Sequence, residues 1–297
     1  MSKYVNLVVF IDGTGNNAFK QSIEKQTNVA RLKNACENVK LPSDVAKQTV
    51  FYRVGVGTRR WELVRGSAVG KKLIERVNES LSFLNNEVKI AREDGLTPRI
   101  YLFGFSRGAY AVRWLAEKLD CDIEVLGCWD TVKATMKGPD VGVAPHRVKH
   151  AFHAMAIDEY RKVFDVTHFV DSPQAIEVWF PGCHSDVGGG YEEAELSYAP
   201  LNWMVNLAAK CGLVVDERKI PEEPLYETML VIHDETKRLG WRIISWNVFD
   251  RFSNRKIEET NMVYTSVAKL RAIGYSREYL PLDCLVWNES AIPWNLA

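Results

Sequence analysis

An α/β fold, a mostly parallel sheet flanked by helices, is what this 297-residue chain predicts, and three observations carry that expectation. Apolar runs at Val5–Ile11, Ile100–Phe105, Ile123–Trp129 and Ala175–Phe180 have the length and the β-branched or aromatic content of strands buried on both faces. Segments of helical periodicity alternate with them: Thr27–Lys40, Ser67–Glu93, Arg107–Lys118, His146–Phe164 and Ala199–Cys211. A hydrophobic content of 46% supports a substantial core, so the length suits one large domain over 1–297, with about 212–297 as a less patterned C-terminal extension.

The first strand runs into Asp12-Gly13-Thr14-Gly15-Asn16-Asn17, a glycine-rich turn that exposes backbone N–H groups. The turn lacks the Lys-Ser/Thr of a phosphate-binding P-loop and does not fit the dinucleotide fingerprint. An aspartate-nucleophile phosphatase would carry its nucleophile two residues before Asp12, where Phe10 stands. What remains for Gly13 or Thr14 is to donate an N–H to an oxyanion, with Asp12 holding the loop in place.

The second strand leads into Gly104-Phe105-Ser106-Arg107-Gly108 and then a helix. Two glycines without a Cβ let a chain turn tightly enough to present the intervening serine as a nucleophile, and the N–H of the next residue, Arg107, can receive the developing oxyanion.

A serine hydroxyl needs a histidine to take its proton and a carboxylate to orient that histidine. The third and fourth strands end at Asp130 and near His184, so three consecutive strands would bring Ser106, Asp130 and His184 to one sheet edge in the chain order expected of such a site. Asp130 is favoured over two other acids. Asp158 reads as a helical residue in a surface ion pair with Arg161, and Asp186 stands too close in sequence to His184 to face its ring. Among the histidines, His184 alone joins a strand end to a loop made pliable by Gly188-Gly189-Gly190. His150 and His153, three apart on an expected helix, lack a third metal ligand, and His233 falls in a helix-like segment.

No cofactor and no metal is required by this chemistry, although Asp12 and Asp186 leave room for an ion. The six cysteines form no CxxC pair and read as reduced thiols; Cys128 and Cys183, near the site, read as small fillers on strands. Lys plus Arg and Asp plus Glu both number 38, so no global field draws the chain to nucleic acid or to an anionic membrane. No apolar stretch is long enough to span a bilayer or to form a signal peptide, so synthesis is expected in the cytoplasm and any lipid contact is local and transient. Trp203, Trp241, Trp246, Trp287 and Trp294 crowd the final third; core filling is the favoured reading and a lid or cap over the serine the alternative.

Six ordered blocks give the chain a resemblance. They are Val9–Asn17, Tyr52–Thr58, Gly104–Ala109, Cys128–Val132, His153–Arg161 and Trp179–Tyr191, and together they resemble the α/β-hydrolase-like domain of the first class of type VI secretion lipase effectors over roughly residues 5 to 210. That resemblance implies cleavage of phospholipid acyl esters by Ser106, Asp130 and His184, export without a signal peptide, and a secretion or immunity partner. A catalytically silent hydrolase fold serving as an interaction module is the competing expectation.

Overall fold

The computed structural model describes residues 3–56, 66–133, 138–237 and 253–287. Its centre is an eight-stranded parallel sheet in the order β2-β1-β3-β4-β5-β6-β7-β8. The strands are β1 (Tyr4–Ile11), β2 (Val45–Arg53), β3 (Thr97–Phe105), β4 (Ile123–Trp129), β5 (Val148–Ala156), β6 (Ala175–Phe180), β7 (Met262–Val263) and β8 (Leu285–Val286). The helices are α1 (Asn28–Cys36), α2 (Gly66–Glu93), α3 (Arg107–Lys118), α4 (His184–Gly188), α5 (Tyr198–Lys210) and α6 (Thr265–Ala272).

Helices cover both faces, which is why the central strands are apolar throughout. Leu7, Val9 and Ile11 of β1 pack with Leu73 and Val77 of α2 and with Ala109, Val112 and Leu115 of α3. Val8 and Phe10 point the other way, toward Val29 and Leu32 of α1 and Met204 and Leu207 of α5. From β1 the chain first moves outward to β2, then returns past β1 to β3 and proceeds outward again. The loops after β1 and β3 therefore flank the point where strand order reverses, the usual place for a site in an open parallel sheet.

The four expected strands form, and α1 stops short of its expected end, where Glu37 turns extended at ψ 140° and Asn38 takes a left-handed φ of 54°. The expected helix over His146–Phe164 does not form: Val148–Ala156 is strand β5, inserted between β4 and β6. Its Ala-Phe-His-Ala-Met-Ala sequence is buried on both faces, so it shows no amphipathic period, and sheet pairing overrides the helical leaning of Ala and Met. Ser106, Asp130 and His184 accordingly follow β3, β4 and β6, which are not consecutive. His150 and His153 lie on opposite faces of β5 rather than along a helix, and His233 lies in irregular chain.

The C-terminal stretch contributes β7 and β8 to the same sheet, with α6 between them in the chain. Trp203 and Trp287 are buried edge to face at 5.7 Å in the core, whereas Trp241, Trp246 and Trp294, like Gly57 and Thr58 of the second block, lie outside the described residues.

Candidate active site

Ser106 is the single residue between β3 and α3, with φ 59° and ψ −125°, a conformation that costs an L-residue free energy and is retained only where its surroundings enforce it. Its surroundings do so. A Cβ on Gly104 would lie 2.5 Å from the Gly108 carbonyl carbon, and one on Gly108 would lie 2.1 Å from the Ile11 carbonyl oxygen, so strand, helix and β1 loop approach closer than any side chain permits. The Ser106 N–H donates to Trp129 O at 3.0 Å, and Ser106 O accepts from Tyr110 N at 3.2 Å and Val132 N at 3.4 Å, which ties the elbow to the end of β4. Ser106 as a whole residue is 4% exposed.

Asp130 directly follows β4 with a left-handed φ of 41°. That turn is held by Asp130 N donating to Ala154 O at 2.7 Å and by Thr131 N donating to His153 Nε2 at 3.0 Å. Since His153 Nε2 accepts, its proton sits on Nδ1, which contacts Glu177 Oε1 at 2.7 Å and leaves the ring neutral. Burial of His153 also lowers its pKa. The residue considered for a metal pair thus supports the backbone of the acid.

His184 opens α4 rather than riding a flexible loop, and Cys183 is the N-cap of that helix rather than a strand residue. The His184 Nδ1 lies 2.5 Å from Asp130 Oδ2, and its ring packs against Phe105 at 4.6 Å and Phe164 at 4.9 Å between centroids. Burial, only partly offset by Asp130, lowers the pKa of His184 below its ordinary value. Among the described residues, neither Ser106 Oγ nor His184 Nε2 takes a hydrogen-bond partner, so the nitrogen that would accept a proton is uncommitted.

A residue that sequence reasoning missed completes this centre. Arg255 donates from Nη1 to Asp130 Oδ1 at 2.6 Å and from Nη2 to Asp130 Oδ2 at 3.0 Å, with Ala156 O and Phe164 O as further acceptors. Burial opposes ionisation of Asp130, but Arg255 and His184 outweigh it and hold the carboxyl well below the usual range. Arg255 sits in a polar stretch without periodicity, and its partner is 125 residues away; the only hint is the general demand of a buried carboxylate for a cation.

In the β1 loop, Asp12 accepts from Gly13 N at 2.7 Å, Thr27 Oγ1 at 2.9 Å and Tyr52 Oη at 2.7 Å. Burial nevertheless raises its pKa to about 6. This costs Gly13 its expected part, because its N–H is already committed to Asp12. The Thr14 N–H and the Arg107 N–H at the start of α3 have no such commitment among the described residues, and Thr14 Oγ1 is buried without a partner.

The other acids are structural. Asp186 receives Cys183 N and His233, not His184. Asp158 is buried rather than in a surface pair; it accepts from Gly182 N at 2.7 Å, Tyr275 at 2.9 Å, Tyr279 at 3.0 Å and Arg277, while Arg161 pairs with Glu159. No group of acidic, His or Cys side chains among the described residues is arranged to hold a metal ion. Burial raises the Cys128 thiol to about 11 and the Cys183 thiol well above its ordinary value, so neither is a thiolate at neutral pH.

Residues 5–122 and 116–207 match the family described as "T6SS, Phospholipase effector Tle1-like, catalytic domain". No relative is detected among curated proteins. Among solved structures, the chain is similar to a Tle1 effector bound to the VgrG spike of the type 6 secretion system, at 20% identity and TM-score 0.48, covering 64% of this chain and 52% of that one. An uncharacterized protein from Pseudomonas aeruginosa aligns at 21% identity and TM-score 0.50, covering 72% and 47%. A cutinase-like protein from Cryptococcus sp. aligns at 16% identity and TM-score 0.31, covering 74% and 97%. The chain spans about half the length of the first two.

Proposed function

The chain belongs to the Tle1-like catalytic-domain family of type VI secretion phospholipase effectors, and from that premise we propose that it is a single-domain serine esterase cleaving the acyl esters of phospholipids. The observation that carries the reading is the Asp130–His184 pair, fixed by Arg255, at the sheet edge where Ser106 occupies a strained elbow. Ser106 Oγ attacks the ester carbonyl and His184 Nε2 takes its proton. Asp130 holds the imidazole by Nδ1 and stabilises its charged form. The N–H groups of Thr14 and Arg107 receive the carbonyl oxygen as it gains charge, with the Thr14 hydroxyl as a third donor. His184 returns the proton to the departing alcohol. Water, activated by the same nitrogen, then releases the acid from the acyl-enzyme.

The uncommitted Oγ and Nε2 also suit a silent fold, and covalent labelling decides between the two. Incubation with a fluorophosphonate followed by peptide mass spectrometry is expected to place the adduct on Ser106; an unlabelled serine under conditions that label an active esterase refutes the proposal. We further propose cytoplasmic synthesis, export without a signal peptide, and secretion-spike and immunity partners. No helix among the described residues is long and apolar enough to cross a membrane.

The acid limb of kcat/KM follows from the histidine. Activity needs neutral His184, and burial lowers its pKa, so the rate stays high as pH falls through the ordinary imidazole range and is lost only below it. Asp130, held lower still, remains ionised across that limb. A pH–rate profile with its acid midpoint above the ordinary imidazole value of about 6.5 would contradict this.

A further inference from the structure

Arg107 stands beside the nucleophile with its charge unanswered. The other guanidiniums buried among the described residues all have hydrogen-bond partners: Arg31 has Asn28, Ser197 and Glu24 O, Arg113 the carbonyls of Val141, Thr167 and His168, Arg161 has Glu159, and Arg255 has Asp130. Half-buried Arg107 has no hydrogen bond, ion pair or aromatic face among the described residues. Burial lowers its pKa to about 10, with no acid among the described residues opposing the drop, which still leaves it charged at neutral pH. Partly desolvating a charge without a partner is costly, and an incoming anion would remove that cost.

The position of Arg107 places it at the end of α3 that carries the nucleophile. Arg107 is the first residue of α3, immediately after Ser106, and Cα–Cβ bonds tilt toward a helix N-terminus, here the end that meets the β1 loop. The scissile ester is neutral; the nearest permanent anion in a glycerophospholipid is its phosphodiester, a few bonds from either acyl ester. A guanidinium fork matches two phosphate oxygens. With equal numbers of acidic and basic residues, the protein has no long-range field for the task, so recognition must be local.

We propose that the Arg107 guanidinium receives the phosphodiester of the substrate and makes the enzyme selective for phosphate-bearing esters over neutral ones. This rests on the serine-esterase reading above. The test compares kcat/KM for monomeric dihexanoylphosphatidylcholine and dihexanoylglycerol in wild type, Arg107→Met and Arg107→Lys. Wild type should favour the phosphate ester, Arg107→Met should lower the ratio of the two values by about 10- to 100-fold, and Arg107→Lys should recover part of it. A ratio unmoved in Arg107→Met overturns the proposal, as does a wild type without the preference, a result that holds even if the variants do not fold. Glycerophosphocholine and hexanoate, added as inhibitors, separate the two anions the site could meet. Weaker inhibition of Arg107→Met by glycerophosphocholine supports the phosphate assignment, and weakening for hexanoate alone refutes it. Fluorophosphonate labelling run alongside keeps the readings apart: labelling without phosphate preference removes only the role of Arg107, and absence of labelling removes the esterase reading as well.

Discussion

Ser106→Ala is expected to reduce ester turnover by about 10⁴-fold or more, because without the nucleophile only binding and oxyanion stabilisation remain. The same substitution should leave thermal stability nearly unchanged. The Ser106 hydroxyl makes no hydrogen bond in the described structure, so nothing is orphaned by its removal, and alanine keeps the Cβ that the backbone already accommodates. Ser106→Gly sharpens the test. Glycine occupies φ 59°, ψ −125° without the penalty borne by an L-residue, so this variant should be as inactive as the alanine one yet more stable by about 1 kcal/mol. The two variants together separate the strained elbow from the chemistry it serves, through paired esterase assays and thermal melts. Turnover by Ser106→Ala within 10-fold of wild type, as an order-of-magnitude limit, would remove the serine from the mechanism. A destabilised Ser106→Gly would show that the elbow conformation is not strained.

Much of this architecture was legible because burial on both faces leaves an unmistakable trace. β1, β3, β4 and β6 read as predominantly apolar runs, and sheet geometry singles out the residues at their ends: Asp12, Ser106, Asp130 and, four residues beyond its strand, His184. β5 escaped because alanine, methionine and histidine at successive buried positions imitate no strand pattern. β2 escaped because Lys47, Gln48 and Thr49 lie on the sheet edge and break the apolar run. The choice between Gly13 and Thr14 is hidden for a subtler reason. Sequence shows that a glycine-rich turn exposes N–H groups, but not which of them the neighbouring aspartate captures, and Asp12 captures that of Gly13. His153, Glu177 and Arg255 share one cause of illegibility. Each acts on Asp130 through tertiary packing across strands or from a distant segment, and no local pattern encodes such a contact.

Arg255→Met is expected to destabilise the fold by about 3–5 kcal/mol, the usual cost of removing one partner from a buried ion pair. Both members are almost fully buried, at 3% and 0% side-chain exposure, so water cannot replace the lost guanidinium, and Ala156 O and Phe164 O lose a donor as well. The sign with pH is fixed. In wild type the folded-state pKa of Asp130 is depressed, so the stabilisation is present above the unfolded carboxylate value and disappears as pH falls through the folded one. Without Arg255, burial raises that pKa, and the variant can relieve its cost by taking up a proton. The stability gap to wild type should therefore be widest near neutrality and narrow in acid. Activity should fall by about 10²-fold, less than the roughly 10⁴-fold expected from losing the acid itself, because Arg255 acts only through the charge and position of Asp130. The companion variant Asp130→Asn/Arg255→Met decides what the pair is for. Removing both charges should restore most of the stability lost in Arg255→Met while leaving the enzyme inactive. If the double variant is as unstable as the single one, the energetic role of Arg255 lies in the two carbonyls it receives and not in the acid. If Arg255→Met keeps full activity at neutral pH, His184 does not depend on an ionised Asp130, and the acid has been assigned to the wrong residue.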